Sequence, residues 1–280
     1  MTDDLMTTLR ETHGGVVVPT GYGGDDARAF AHGLRLAQAM KTSMTHLHHG
    51  DMRSATGDLG VRSVLERWGE LPEGSEPHDV ATLGFWVRKT GARHADMRKT
   101  VREFVTNNAL DLLIVATPRS ALRRLVQGAG PRATESETPT LFLPPESSDL
   151  VDGKTGATTM QTVIVPVAAT PSPASAVNLT HSLAKHLAAP SGRIVLLHVS
   201  DGTSRPEVEQ PEHTGWEYAW RDAPGEPAAA ICAVAAEENA DAIVMTTSGR
   251  RGFLDSLRGS TVERVVANAK CPVLAVPARA

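Results

Sequence analysis

The sequence predicts an α/β protein of two doubly wound domains, each a parallel sheet with helices on both faces. Three observations predict it. Short apolar runs alternate with segments of helical periodicity along the chain, the pattern of strands joined by crossover helices. That alternation occurs twice, the second copy about half a chain after the first. The 280 residues are too many for one small domain and comfortable for two of average size.

The first half opens with Val16–Thr20 (VVVPT), an apolar run of the buried-strand type. In the helix that follows, Phe30, Leu34, Ala37 and Met40 share a face. Asp25 and Asp26 precede them, where acids suit a helix start. Met44–His48 (MTHLH) is the next strand. Residues 51–85 are the least regular. They hold a helix at Val61–Gly69 and a loop, ELPEGSEPHD, and read as a surface excursion before a third strand near Phe85–Arg88. A helix over Met97–Asn108 presents Met97, Val101, Phe104 and Val105 on its buried face. It leads to the strand Asp111–Ala116 (DLLIVA), and the proline-fenced strand Pro139–Pro144 (PTLFLP) closes the half.

The second half repeats the order. Thr162–Val167 (TVIVPV) matches the first strand, Ala176, Leu179, Leu183 and Leu187 mark the helix, and Arg193–Val199 (RIVLLHV) is the next strand. Asp201–Gly215, polar and proline-containing, reads as a mobile loop. A helix over Ala228–Asn239 carries Cys232 among Ala and Val, as buried core. Ala242–Thr246 is a strand. In Ser260–Ala269, Val262, Val265, Val266 and Ala269 recur at helical spacing. Val273–Val276, fenced by Pro272 and Pro277, is the last strand. Between the halves, residues 147–160 are polar and rich in Gly, Ser and Thr, a linker between domains at 1–146 and 161–280.

Composition narrows the function. Hydrophobic residues make up 41% and aromatics 4%, so the cores are aliphatic. The net charge of −4 argues against a general nucleic-acid binder. Two cysteines, Cys232 and Cys271, provide no disulfide framework and suit a reducing compartment. The N-terminus has no basic start followed by an apolar stretch, and no run is long enough for a membrane span, so neither export nor a membrane partner is expected. There is no G-x-S-x-G, no P-loop and no H-E-x-x-H, so no catalytic residue is expected.

One stretch does suggest a ligand. Thr246 to Thr261 joins a strand to a helix through a glycine-containing loop. Such a junction presents unpaired N–H groups and the positive end of the helix dipole, a seat for an anion. Gly249 and Gly259 would admit a phosphate close to the backbone, and Arg250, Arg251 and Arg258 add positive charge. Ser260-x-x-Glu263 reads equally as a capping box, in which Ser260 caps the helix.

The spacing Thr246-x2-Gly249-x9-Gly259-Ser260, followed by that helix and by CPVLAVP, resembles the universal stress protein family. The family signature there is G-x2-G-x9-G-[ST]; Thr246 replaces its first glycine. Taken with the repeat, the resemblance is to tandem members and covers nearly the whole chain, strongest after Thr162 and weakest in 51–85. It implies two Rossmann-like domains of about five parallel strands each. It implies a cytoplasmic, non-enzymatic stress-response protein with an adenine nucleotide, ATP, on the loop of the second domain. The residues carried over to that site are Val167, Ala168, Val199, Thr246, Gly249, Arg250, Gly259, Ser260 and Thr261. Single-domain members dimerise through the last strand. The resemblance therefore implies that Thr140–Leu143 and Val273–Val276 join the two halves as an intramolecular pseudo-dimer, with a homodimer of the whole chain also open.

Departures from the pattern bear on that site. Nucleotide-binding members carry an aspartate after the first strand, in a context like VPVDGS. The second half has VPVAATPS, with Ala168 there, and the first half has VPTGYGG, with Gly21. In the first half, one register sets Thr117, Ser120 and Gly130 on the glycine positions and another sets Ala116, Arg119 and Ala129. Neither restores the motif, so any nucleotide belongs to the second domain and binds weakly. Arg119, Arg123, Arg124 and Arg132 read as a solvated helix face. Two other readings stay open: an interaction protein with no nucleotide, and an enzyme of the wider nucleotide-binding α/β group.

His46, His48, His49 and Asp51 raise the question of a metal. On a strand, His46 and His48 share a face and His49 points away, so two converge where a site needs about four ligands. No metal is expected. The repeat sets His48 against His198 of LLHV.

Overall fold

The computed structural model describes residues 15–21, 25–48, 59–91, 97–108, 110–117, 138–187, 189–200, 204–212, 215–247 and 261–278. Their contacts fall into two compact units. One comprises residues up to 115 with 151–157, the other 116–150 with 158–280.

In the first unit the strands are β1 (Gly15–Thr20), β2 (Ser43–His48), β3 (Trp86–Gly91) and β4 (Leu112–Ala116), and the helices are α1 (Asp26–Ala39), α2 (Val61–Arg67), α3 (Asp79–Thr82) and α4 (Met97–Asn107). The strand order is β3-β2-β1-β4, all parallel. All six residues of β1 are buried, as a central parallel strand covered on both faces must be. The α1 helix starts at Asp25, whose carboxylate accepts the Arg28 N–H at 3.0 Å. It buries Phe30, Leu34 and Ala37 and lies so close to β1 that a Cβ on Gly33 would meet Val18 Cγ2 at 2.2 Å. The excursion before β3 is more than surface: Val64, Leu65, Leu71, Val80 and Phe85 are buried. Along α4, Val101 and Val105 are buried, while Phe104 is half-buried beneath the Arg88 guanidinium.

The segment read as a linker is packed, not loose. Leu150, Val151 and Met160 are buried. Asp152 Oδ1 accepts the N–H groups of Lys154 and Thr155, both at 2.8 Å, and a backbone bond from Asp152 N to Ala157 O closes the turn. Its 151–157 part belongs to the first unit. There the Gly153 carbonyl accepts from Trp68 Nε1 at 3.2 Å, and His32 Nε2 accepts from Val151 N at 3.3 Å. Polar composition suggested a tether. The hidden apolar residues and the indole and imidazole partners make the segment part of the fold instead.

The second unit holds β5 (Thr140–Leu143), β6 (Thr162–Val167), β7 (Gly192–Ser200), β8 (Trp216–Pro224), β9 (Ala242–Thr247) and β10 (Val273–Pro277), with helices α5 (Ala174–His186), α6 (Pro227–Glu237) and α7 (Thr261–Asn268). Its order is β5-β10-β9-β6-β7-β8. All pairs are parallel except β5–β10, which is antiparallel through Val273↔Phe142, Leu274↔Leu141 and Ala275↔Thr140. The strand that closes the first half of the sequence thus belongs to the second unit, where it covers an edge that β10 would otherwise leave open. The α/β class with mostly parallel strands is as the sequence predicts.

Two local expectations need correction. The strand β8 (WEYAWRDAP) went unrecognised because its charges interrupt the apolar run, yet it pairs with β7 over nine residues. And the described part of the loop before it, 204–212, is tied down. Arg205 Nε donates to Asp222 Oδ1 at 3.0 Å with its guanidinium over Trp220, and the Pro211 carbonyl accepts from the Tyr218 hydroxyl at 3.2 Å.

Candidate functional site

In the second unit the chain runs from β6 outward to β7 and β8, then crosses back to β9 on the other side of β6. The β6/β9 boundary is a topological switch point, where open α/β sheets form crevices at the carboxyl ends of the strands. Pairing there covers Val163↔Ala242 and Ile164↔Ile243 and stops three residues short of Val167 and Thr246. The first unit repeats the arrangement: β1 pairs with β4 only at Val16↔Leu112 and Val17↔Leu113.

Part of the expected site falls among the described residues. Val167 is buried at the end of β6, and Ala168, the next residue, is exposed. Val199 is half-buried near the end of β7, and Thr261 is half-buried at the first position of α7. Gly249, Arg250, Gly259 and Ser260 lie outside the described residues, as do the arginine cluster at 119–132 and His49 and Asp51.

Thr246 has a structural employment that the motif comparison does not foresee. Its hydroxyl accepts the N–H of Ala176 at 3.3 Å. Ala176 is the third residue of α5, and Pro173 at the N-cap position makes no side-chain cap bond. Thr246 therefore satisfies an orphan N–H at the start of a helix 70 residues away in sequence.

A second polar cluster stands at the ends of β7 and β8. The buried His198 Nδ1 lies 3.3 Å from Asp222 Oδ1, and Arg205 grips the same carboxylate with two nitrogens. The guanidinium, with His198 second, holds Asp222 down to about 2. The register that sets Val167 beside His198 and His198 beside Asp222 links this cluster to the switch point. The missed strand β8 hid it from sequence reasoning.

In the first unit, His46 and His48 do share a face, and both rings meet the Thr20 hydroxyl, at 2.7 and 2.8 Å. His46 packs edge-on against Phe30, with centroids 5.0 Å apart. Burial, aided by Lys89 and His48, pushes His46 down to about 4. Among the described residues there is no group of three or more His, Cys, Asp or Glu placed to hold a metal. Cys232 is half-buried rather than core, and its Sγ lies 3.8 Å from the Val265 carbonyl. Cys271 is buried, which pushes its thiol up to about 12 and away from reactivity.

Comparison with known proteins finds sequence likeness over part of the chain. Residues 219–277 match the model of the Universal stress protein family. A universal stress protein of Methanocaldococcus jannaschii is 50% identical over 52 residues, 19% of this chain and 31% of that relative's length. Solved structures extend the likeness of fold to almost the whole chain. A universal stress protein from Archaeoglobus fulgidus aligns with a TM-score of 0.60 at 16% identity, over 94% of this chain and 96% of that one. A functionally unknown protein from Pseudomonas aeruginosa aligns with a TM-score of 0.55 at 13% identity, over 97% and 95%. No helix among the described residues is long and apolar enough to cross a membrane.

Proposed function

We propose that the chain is a tandem universal stress protein of the cytoplasm, without catalytic activity, whose second half holds an adenine nucleotide weakly. The observation that carries this reading is the β6/β9 switch point, whose strand β9 lies in the segment that matches the family. Val167 and Thr246 lie at the ends of its two strands, Ala168 follows β6, Val199 lies near the end of the neighbouring β7, and Thr261 begins α7. The triphosphate would lie on the stretch that includes Gly249, Arg250, Gly259 and Ser260, and the base and ribose beside Ala168. The first half would hold none. The β5–β10 pairing supports the reading of the two halves as an intramolecular pseudo-dimer.

Mass spectrometry of small molecules released on denaturing the purified protein, with calorimetric titration of ATP, tests the reading. Released adenine nucleotide, or binding in the micromolar range or weaker, is the expected result. A second reading is favoured by Ala168 and Thr246, which replace the acid and the first glycine: an interaction protein that carries no nucleotide. An empty protein with a flat titration would leave that reading in place. ATP turnover that survives rigorous purification would instead make the protein an enzyme.

A further inference from the structure

The strand β8 ends the sheet of its unit and pairs with β7 on one side; among the described residues no strand pairs with its other side. The Gly215 carbonyl accepts the Gly192 N–H at 2.9 Å. By alternation, the backbone groups of Glu217, Ala219 and Arg221 face β7, and those of Trp216, Tyr218, Trp220 and Asp222 face outward. Nine residues is long for an edge, and an open edge is a template for another strand. Residues 204–212 approach β8 at its side chains, through Arg205 and Pro211.

The charge pattern of β8 is self-complementary. Consider a second copy of β8 laid antiparallel against the first, with the two-fold axis at Ala219. Outward-facing residues then oppose one another: Tyr218 meets Trp220 of the second copy, and Trp216 meets Asp222. On the other face Glu217 meets Arg221, twice by symmetry. Sliding the register to centre on Tyr218 or Trp220 sets Glu217 against Ala219 or Ala223 and loses both ion pairs. Glu217 is exposed. Arg221 donates to Glu237 at 2.7 Å and lies 3.9 Å from Glu238, and its fork has further N–H groups to give. The edge strand β3 of the other unit behaves in the opposite way. Its middle residues, Arg88 and Lys89, are both exposed cations, and self-pairing would oppose like charges, a common device against association.

We propose that β8 is a homodimerisation edge: two copies of the chain join β8 to β8, antiparallel about Ala219, through main-chain bonds, Glu217–Arg221 ion pairs and Tyr218–Trp220 contacts. The dimer continues one sheet across the two-fold axis, and a sheet edge is closed by doing so.

Sedimentation equilibrium on the full chain tests this. Wild type is expected to dimerise reversibly. Glu217→Lys sets Lys against Arg at both pairs and should weaken the dimer about tenfold or more. Arg221→Glu sets Glu against Glu and should do the same. An equimolar mixture of the two variants restores both ion pairs and should recover association, which a misfolded variant cannot do. A monomeric wild type overturns the proposal. So does a dimer that Glu217→Lys leaves intact, and so does a wild-type monomer whose β8 instead captures an extended peptide.

Discussion

The Thr246 hydroxyl accepts the Ala176 N–H at 3.3 Å and so ties the end of β9 to the start of α5. One residue thus belongs both to the expected ligand loop and to the capping of a helix. Thr246→Val keeps the shape and removes the acceptor. It should destabilise the chain by about 0.5–2 kcal/mol, the range for lost N-cap acceptors, while Thr246→Ser should be close to neutral. Denaturant unfolding of both variants checks this; equal stability for Thr246→Val and wild type would remove the capping role.

Ala168 is exposed at the switch point, where nucleotide-binding members of the family that the chain resembles carry an aspartate. Ala168→Asp should tighten ATP binding by about ten- to a hundred-fold, the worth of a hydrogen bond to a charged group. Gly259→Glu, adding bulk and negative charge on the expected phosphate seat, should abolish it. Calorimetric titration of wild type and both variants decides. If Gly259→Glu binds as wild type does, the site lies elsewhere.

His46 is pushed down to about 4 by burial, against an ordinary 6.5. Between these values the unfolded chain binds a proton that the folded chain refuses, so stability should fall as pH is lowered from about 6.5 to about 4. His46→Phe, which keeps an aromatic ring beside Phe30, should flatten that slope. Urea midpoints across the range, for wild type and variant, measure it; identical slopes would place the titration in other groups.

Gly156 has φ +70°, and a Cβ there would meet Arg35 Nη2 at 2.3 Å and Trp68 Cδ2 at 2.6 Å. Gly156→Val should therefore lift the 151–157 turn off Trp68 and destabilise the first unit by about 1–3 kcal/mol. The loss of the Trp68 Nε1 bond to Gly153 should appear as a change in tryptophan fluorescence. An unchanged spectrum and melting temperature would show the turn to be dispensable.

Much of the architecture was legible in the residues. Buried parallel strands such as β1, β6 and β9 are unbroken apolar runs, because both faces are covered and nothing in them has to alternate. Helical spacing marked Phe30, Leu34 and Ala37 of α1 and Ala176 and Leu183 of α5 as buried, though Met40 and Leu179 are only half-buried, and Asp25 announced the start of α1. The repeat of strand and helix order, and hence the α/β class, follows from local pattern alone.

What the tertiary structure decided is of another kind. That Thr246 caps Ala176, that Thr20 joins His46 and His48, and that Arg205 and His198 share Asp222 are contacts between residues 17 to 70 positions apart, set by strand order and register. The edge strand β8 stayed hidden because a strand that meets the core on few positions need not be apolar. The packed turn at 151–157 stayed hidden because its anchors, His32 and Trp68, are supplied by distant helices. And β5 closes the first half of the sequence yet lies against β10, because an open sheet edge is satisfied by whichever strand the fold brings to it, not by the nearest in the chain.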